Sequence, residues 1–441
     1  MRNHEYKKKK MLEMLKKLHD NVDVEEVRNE FKSMLKSISP LEIPVLEQEL
    51  VKEGMSPKDI VKMCNIHVEI FRESVEGSGK KEIAGLPHGH PLETLYMEND
   101  EIIKDSEMLN LYATSAGDVK SEKRRYELLE IVDDILSRLT KLGPTHYSRE
   151  EMLIFPSIER RGISAVPTVL WTKHDEVRNK IKYLNEFFKK NYKEDNKVGS
   201  EFLTTLKKEA AELSRLLTDM VFRENNIFYP TAKALLSDQE WVAIMLQSEE
   251  YRYYKVKPEI WKTDAKPLFP HEIDGTMDAE KILSLPKEVQ LIVKGDTIES
   301  DDYNLKRDGD INMITGFISP DEMIEIFKKL PVDITFIDKY DRVRFFSGGE
   351  RVFQRSKNVL GRKVQLCHPP KSVHIVERIL KEFKSGKRDI AEFYFHIGPK
   401  FIHIRYFPIF SNGDYIGTLE VSQDVTGIRN LKGEKRIIDI E

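Results

Sequence analysis

The phrase THYSREEMLIFPSIE occupies residues 145–159, and DMVFRENNIFYPTAK at 219–233 nearly repeats it. Aligned on Pro156 and Pro230, Glu150 falls on Glu224, Arg149 on Arg223 and Phe155 on Tyr229, whereas His146 falls on Met220. His146 and Glu150 are spaced i, i+4, which puts both on one helix face, a turn apart. Two such phrases suit two helices of one bundle, each placing a glutamate at a shared centre. The prolines follow each glutamate closely and are expected to disturb or end the helices beyond that centre.

Working outward, residues 86–250 carry four long amphipathic segments. The breaks between them, GDVKSE, RRGISAVP and NYKEDNKVGS, are loop-like. This pattern predicts an up-down-up-down four-helix bundle. Each helix offers a ligand type. His90, in HGHPLETLYMEND, opens the first, and His146 and Glu150 stand on the second. His174, in WTKHDEVR, is on the third, and Glu224 is on the fourth with Met220 one turn before it. Neutral imidazoles suit iron, zinc and copper. Each histidine needs an acceptor for its other ring nitrogen. A carboxylate can bridge two cations and offset charge that a dry core does not tolerate. A lone His–Glu pair at this spacing is usually a surface contact. The order of ligand types along four helices, with matching arginines and prolines, is what favours a metal site. His88 cannot share a helix face with His90 and is expected in a loop or cap.

These motifs resemble the hemerythrin-like, or HHE, cation-binding domain. The resemblance implies a four-helix bundle with a non-haem di-iron site of histidines and two bridging carboxylates. Carried over by position, the metal residues are His90, His146, Glu150, His174 and Glu224. The resemblance also implies a histidine one turn before the last glutamate, where this chain has Met220. A thioether is a poor partner for hard iron. One iron is then a ligand short, leaving a place for O₂, NO or water. Glu98, on nearly the same face as His90, is the substitute to inspect, and a mononuclear site or another transition metal satisfies the same residues.

The flanks differ in grammar. Residues 1–80 read as helices, with Val27, Phe31, Met34, Leu35 and Ile38 on one stripe, and Ser39-Pro40 and Ser56-Pro57 as helix starts. LEIPVLEQELVKEGMSPKDIVKMCNIHVEIF is similar to domain of unknown function 438, which the resemblance places before an HHE bundle. Cys64 and His67 stand there at CxxH spacing, half a zinc site at most, and a core reading is preferred. Residues 251–318 are read as a proline-rich linker and lead-in. Residues 319–428 carry β-rich runs, a helix at KSVHIVERILKEFKSG and an Asn412-Gly413 hairpin signal, an α+β pattern. They resemble a PAS domain, which implies signal sensing or homodimerisation. On FIHIRYF, Ile402, Ile404 and Tyr406 share one face and His403 the other. Cys367, His368, His374, His396 and His403 leave a haem or metal site there as a lesser reading, and the PAS cofactor is unassigned.

The fold class expected is therefore multi-domain: an all-α N-terminal helical domain and a four-helix hemerythrin-like bundle, followed by an α+β PAS domain. The net charge of −4 over 441 residues makes no electrostatic case for a nucleic-acid partner. Two cysteines rule out a disulfide framework and suit a reducing cytoplasm. No apolar run is long enough to span a membrane, and the Lys-rich start lacks the apolar region of a secretory signal. No kinase, cyclase or DNA-binding signature follows Val425, so output is expected through an unknown protein partner. The primary expectation is a cytoplasmic sensor of O₂, NO, iron or redox state rather than an enzyme. The alternatives are an iron-handling or iron–sulfur repair protein, and a di-iron oxidase or peroxidase, which needs a substrate pocket the sequence does not display.

Overall fold

The structure, a computed structural model, describes residues 42–52, 54–55, 85–192, 198–273, 301 and 303–435, with isolated positions elsewhere. Cys64, His67 and most of the helices expected before residue 80 lie outside the described residues. Contacts divide the chain into two units, 1–304 and 305–441.

In the first unit the long helices are α2 (Pro91–Asp118), α3 (Glu122–Leu139), α5 (Ala165–Asn191) and α6 (Ser200–Arg223). Helix α6 packs on α2 and α5, and α3 packs on the same two, which closes a four-helix ring. Each buries a stripe of three- and four-residue steps. On α5 the stripe is Leu170, His174, Val177, Ile181, Leu184 and Phe188. On α6 it is Leu206, Ala210, Leu213, Leu217, Met220 and then Glu224. Burying each large apolar side chain contributes about 1.5–3 kcal/mol. The few polar members of a stripe are carried inward by these neighbours.

A short helix, α1 (Ile43–Lys52), packs on α5. Its Gln48 side chain accepts hydrogen bonds from the backbone N–H groups of Ser164 (2.8 Å) and Ala165 (2.9 Å), satisfying donors that Ser164 leaves open at the start of α5. Beyond α6, helix α8 (Asp238–Tyr251) starts on a Ser237–Glu240 capping box and packs against α2. The stretch after 251, expected as linker, is partly core: Tyr254 and Trp261 are buried in the bundle's hydrophobic cluster. Gly89 permits this, with φ +80° and an absent Cβ that would sit 2.7 Å from the backbone of Ile260 and Trp261. No helix among the described residues is long and apolar enough to cross a membrane.

The second unit opens with a short antiparallel pair, β1 (Ile311–Asn312) and β2 (Phe317–Ile318), and helix α9 (Pro320–Lys329), followed by a five-stranded antiparallel sheet of order β4-β3-β7-β6-β5. The strands are β3 (Asp333–Asp338), β4 (Val343–Phe346), β5 (Ala391–Ile397), β6 (Lys400–Ser411) and β7 (Asp414–Asp424). Helix α10 (Pro370–Lys384) packs on β6 and β7. The β6–β7 turn is Asn412-Gly413, both at positive φ (50° and 86°), as a two-residue hairpin requires. Ile402 and Ile404 are buried and His403 pairs outward with Glu392 at 2.6 Å, the face assignment the alternation predicts. Sequence reading did not single out β5. It is an edge strand whose residues after Ala391 are all exposed, so inward and outward positions do not alternate in burial.

Candidate metal centre

The two repeated phrases form unusual helix. Glu150–Ile154 and Glu224–Phe228 are π-helical turns, and each glutamate is the first residue of its turn. Phe155 N–H bonds to the carbonyl of Glu150, and Tyr229 N–H to that of Glu224. The cause is the proline that follows. A proline lacks an N–H and its ring collides with the carbonyl four residues back. Widening the turn moves that carbonyl aside, and helix resumes as α4 (Phe155–Glu159) and α7 (Tyr229–Leu235). The prolines therefore widen the helices instead of ending them. Such bulges re-aim side chains and recur at functional sites. His146 lies in a third π turn, Gly143–Tyr147.

His146, Glu150, His174 and Glu224 are all completely buried. His146 Nε2 lies 3.6 Å from Glu150 Oε1 and 3.5 Å from Glu224 Oε2. His174 Nε2 lies 3.3 Å from Glu150 Oε2 and 3.6 Å from Glu224 Oε1. Each imidazole thus faces one oxygen of each carboxylate. Glu150 Oε2, both Glu224 oxygens and His174 Nε2 have no hydrogen-bond partner. Unpaired polar atoms this deep are costly, and charged ones more so. Around them the walls are aromatic: Tyr147 stacks on His174 at 4.0 Å, and Phe155 lies 6.1 Å away. His146, Glu150 and Glu224 offer atoms all within 4.8 Å of one another, close enough to hold a cation. The donor set fits a transition metal: imidazole and carboxylate, convergent, orphaned and shielded from water.

Electrostatics fit the same reading. Burial pushes His146 down, but ionised Glu98 and then Glu224 outweigh it and raise it to about 10. Burial likewise depresses His174, and Glu150, Glu151 and Glu224 raise it to about 10. Burial would raise Glu224, yet the two histidines hold it down to about 2. Burial and then the charge of Glu224 push Glu150 up. Without a cation the cluster keeps its charges balanced with protons, so cation binding is coupled to proton release.

Behind each imidazole stands a carboxylate neutralised by an arginine. His146 Nδ1 is 2.9 Å from Glu98 Oε2, which also binds Arg149, and Tyr254 N–H donates to Glu98 Oε1 at 2.6 Å. His174 Nδ1 is 2.8 Å from Glu151 Oε1, and Arg178 donates to Glu151 Oε2 at 2.7 Å. Carboxylate–histidine pairs of this kind orient metal-bound imidazoles and fix their tautomer. The Tyr229 hydroxyl donates to Glu150 Oε1 at 2.6 Å.

Two candidate ligands stand away from the cluster's donors, and His88 lies outside the helix as expected. His90 is not brought to the cluster. It caps α2, with Nδ1 accepting the Leu92 N–H at 3.1 Å, and its ring packs on Trp241 and Trp261. Glu98 is the α2 residue level with His146, and eight residues at 1.5 Å rise put His90 about 12 Å further along the axis. Glu98 has both oxygens engaged behind His146, by His146 Nδ1, Arg149 and the Tyr254 N–H, and not turned toward Glu150 and Glu224. His88 is the exposed neighbour, paired with Glu93 (3.1 Å) and Glu259 (2.8 Å). Met220 is buried in the bundle core. Sequence reading passed over Glu151 and Tyr229. Their signals were present: Glu151 adjoins Glu150, and Tyr229 is the polar member of the Phe155/Tyr229 pair.

Residues 90–232 match the hemerythrin HHE cation binding domain, residues 11–77 match a family of unknown function (DUF438), and residues 323–426 match the PAS domain. The order is the one the sequence predicts. A crystal structure of a C-terminal domain from Streptococcus mutans is 29% identical, with 29% of this chain covering 100% of that one, at a TM-score of 0.27. The sensor region of a sensor histidine kinase is 14% identical over 22% of this chain and 41% of that chain, at a TM-score of 0.18. No curated protein matches the chain. The matches to a cation binding domain and a PAS domain support a metal-binding, sensor-like protein, and a PAS domain allows dimerisation or signalling.

Proposed function

We propose that the bundle would hold non-haem iron, as two ions, through His146, Glu150, His174 and Glu224, and that the protein is a cytoplasmic sensor. The observation that carries this is the arrangement of the four buried side chains, in which each imidazole faces one oxygen of each carboxylate. His146 would hold one ion and His174 the other. Bound iron supplies reversible binding of O₂ or NO and one-electron redox chemistry. The chain's own residues do the rest: Glu98 and Glu151 orient the imidazoles, and the aromatic walls exclude water. With one imidazole per ion, protein ligands are few enough to leave room for a small ligand. In the second unit, a cavity of about 490 Å³ lies between α10 and the sheet, lined by Ile375, Ile379, Phe395 and Ile404 among others. It supports a role in sensing for the PAS domain.

Metal analysis and optical spectra of anaerobically purified protein, before and after O₂ and NO, test this reading. Stoichiometric iron with a reversible spectral change on gas exposure is expected. His146→Ala and His174→Ala should each remove about half of the metal from a two-ion centre, whereas each removes all of it from a mononuclear one. Only trace metal in the wild type sinks the proposal. Iron that passes readily to an apo acceptor, with no gas response, favours the iron-handling alternative.

A further inference from the structure

The two phrases are unequal in a second way. The first copy supplies His146, Glu150 and Phe155, and the second supplies Met220, Glu224 and Tyr229. The second copy loses an imidazole and gains a phenol. The Tyr229 hydroxyl is completely buried, 2.6 Å from Glu150 Oε1 and 3.3 Å from His146 Nε2. Donors bound to one first-row cation at about 2.0–2.2 Å stand about 3.0–3.5 Å apart. Tyr229 to Glu150 and to His146, and His146 to Glu150 and to Glu224, are spaced at 2.6, 3.3, 3.6 and 3.5 Å, around that value. The His174 side presents the same two carboxylates, and the residue aligned with Tyr229 is there Phe155, whose ring lies 6.1 Å from that of His174.

The surroundings of the hydroxyl suit a donor oxygen. Asn99 Nδ2 points an N–H at it from 3.3 Å, and Asn99 is itself set by Asn225 Oδ1 at 2.8 Å. The Tyr96 ring meets the Tyr229 ring edge-on at 5.0 Å and fixes its plane. We infer that the Tyr229 oxygen is a further protein donor to the cation on the His146 side, offsetting the histidine that the second phrase lacks. The cation takes the place of the proton now given to Glu150, and that proton leaves to solvent. The two halves of the centre then differ: an imidazole, two carboxylates and a phenolate on one side, an imidazole and two carboxylates on the other. This inference rests on the proposed metal site and adds one residue to it.

Ferric iron bound by a phenolate shows a visible charge-transfer band and enhanced tyrosine modes in resonance Raman spectra. Protein loaded anaerobically with Fe(II) and oxidised with ferricyanide should show both. Tyr229→Phe should abolish them while iron remains bound. Phe155→Tyr should strengthen them by adding an oxygen on the His174 side. Wild-type protein holding its full iron without these signatures overturns the inference and leaves the metal reading intact. A band that persists in Tyr229→Phe also overturns it. Wild-type protein that holds no iron overturns the metal reading, and this inference with it. Should Tyr229→Phe release its iron, the wild-type Raman spectrum still decides.

Discussion

Glu151→Ala probes the centre without touching a metal donor. Glu151 is buried behind His174, receiving its Nδ1–H at 2.8 Å and an Arg178 N–H at 2.7 Å. Its carboxyl is held below its usual range, because His174 and Arg178 outweigh burial. Alanine leaves the imidazole N–H without an acceptor and frees the ring to turn. Carboxylates that orient metal-bound histidines are worth about 10–100-fold in affinity, or about 1.4–2.8 kcal/mol. The loss should fall on one ion, since His146 leans on Glu98 and not on Glu151. Glu151→Gln keeps an acceptor for the N–H and should recover most of the loss. Asp175→Ala, which removes a solvent-exposed partner of Arg178, serves as the control and should change nothing. The assay is anaerobic titration of apo protein with Fe(II) against a chromophoric chelator. Wild-type affinity for both ions in Glu151→Ala would refute the orienting role and, with it, the assignment of His174 as a ligand.

Glu224→Ala removes the counter-charge of two buried imidazoliums, a change that costs about 3–5 kcal/mol in buried ion pairs, so thermal melts of the apo protein should shift down sharply. Unchanged melting would show that the histidines are not charged there. Asp105 is buried among Arg138 (3.0 Å), the Tyr254 hydroxyl (2.6 Å) and Lys255 (3.0 Å). Burial opposes its ionisation, but these three hold its pKa below the usual value. Its contribution is therefore complete above the unfolded pKa of about 3.9 and disappears as pH falls through the lower folded value. Urea melts between about pH 6 and 2 should show wild type losing its advantage over Asp105→Asn toward the acid end; a constant difference contradicts the assignment. Gly89→Ala forces a Cβ onto the Ile260–Trp261 backbone at positive φ and should destabilise the first unit by about 2 kcal/mol or more. Increased proteolysis between 252 and 270 would report the released segment, and wild-type resistance would count against the packing described.

Much of the bundle was legible because its signals are local. The apolar stripes repeat at the helical period, and the polar breaks between them are unambiguous. His146, Glu150, His174 and Glu224 were legible for the same reason, as polar residues on otherwise apolar stripes. His90 misled because it shares a helix with the site but not its level. A motif says which helix a residue is on, whereas axial position depends on how far the helix slides against its neighbours. Tyr254 and Trp261 misled in the opposite direction: a proline-rich context reads as linker, and only packing against α2 and its His90 cap buries them. The edge strand β5 escaped because its burial does not alternate.

What the residues determined by themselves is the kind of centre: two glutamates from repeated phrases, imidazoles a turn or a helix away, and prolines too close to leave the helix regular. Those follow from covalent geometry and from spacing along one chain. Tertiary structure decided which carboxylates face both imidazoles and which stand behind. It set Glu98 and Glu151 against Nδ1 while Glu150 and Glu224 meet Nε2, and it aimed Tyr229 at the site through the π turn that Pro230 imposes. Those outcomes depend on helix register and rotation, which are fixed when apolar stripes from four separated segments interlock. No single segment contains that information.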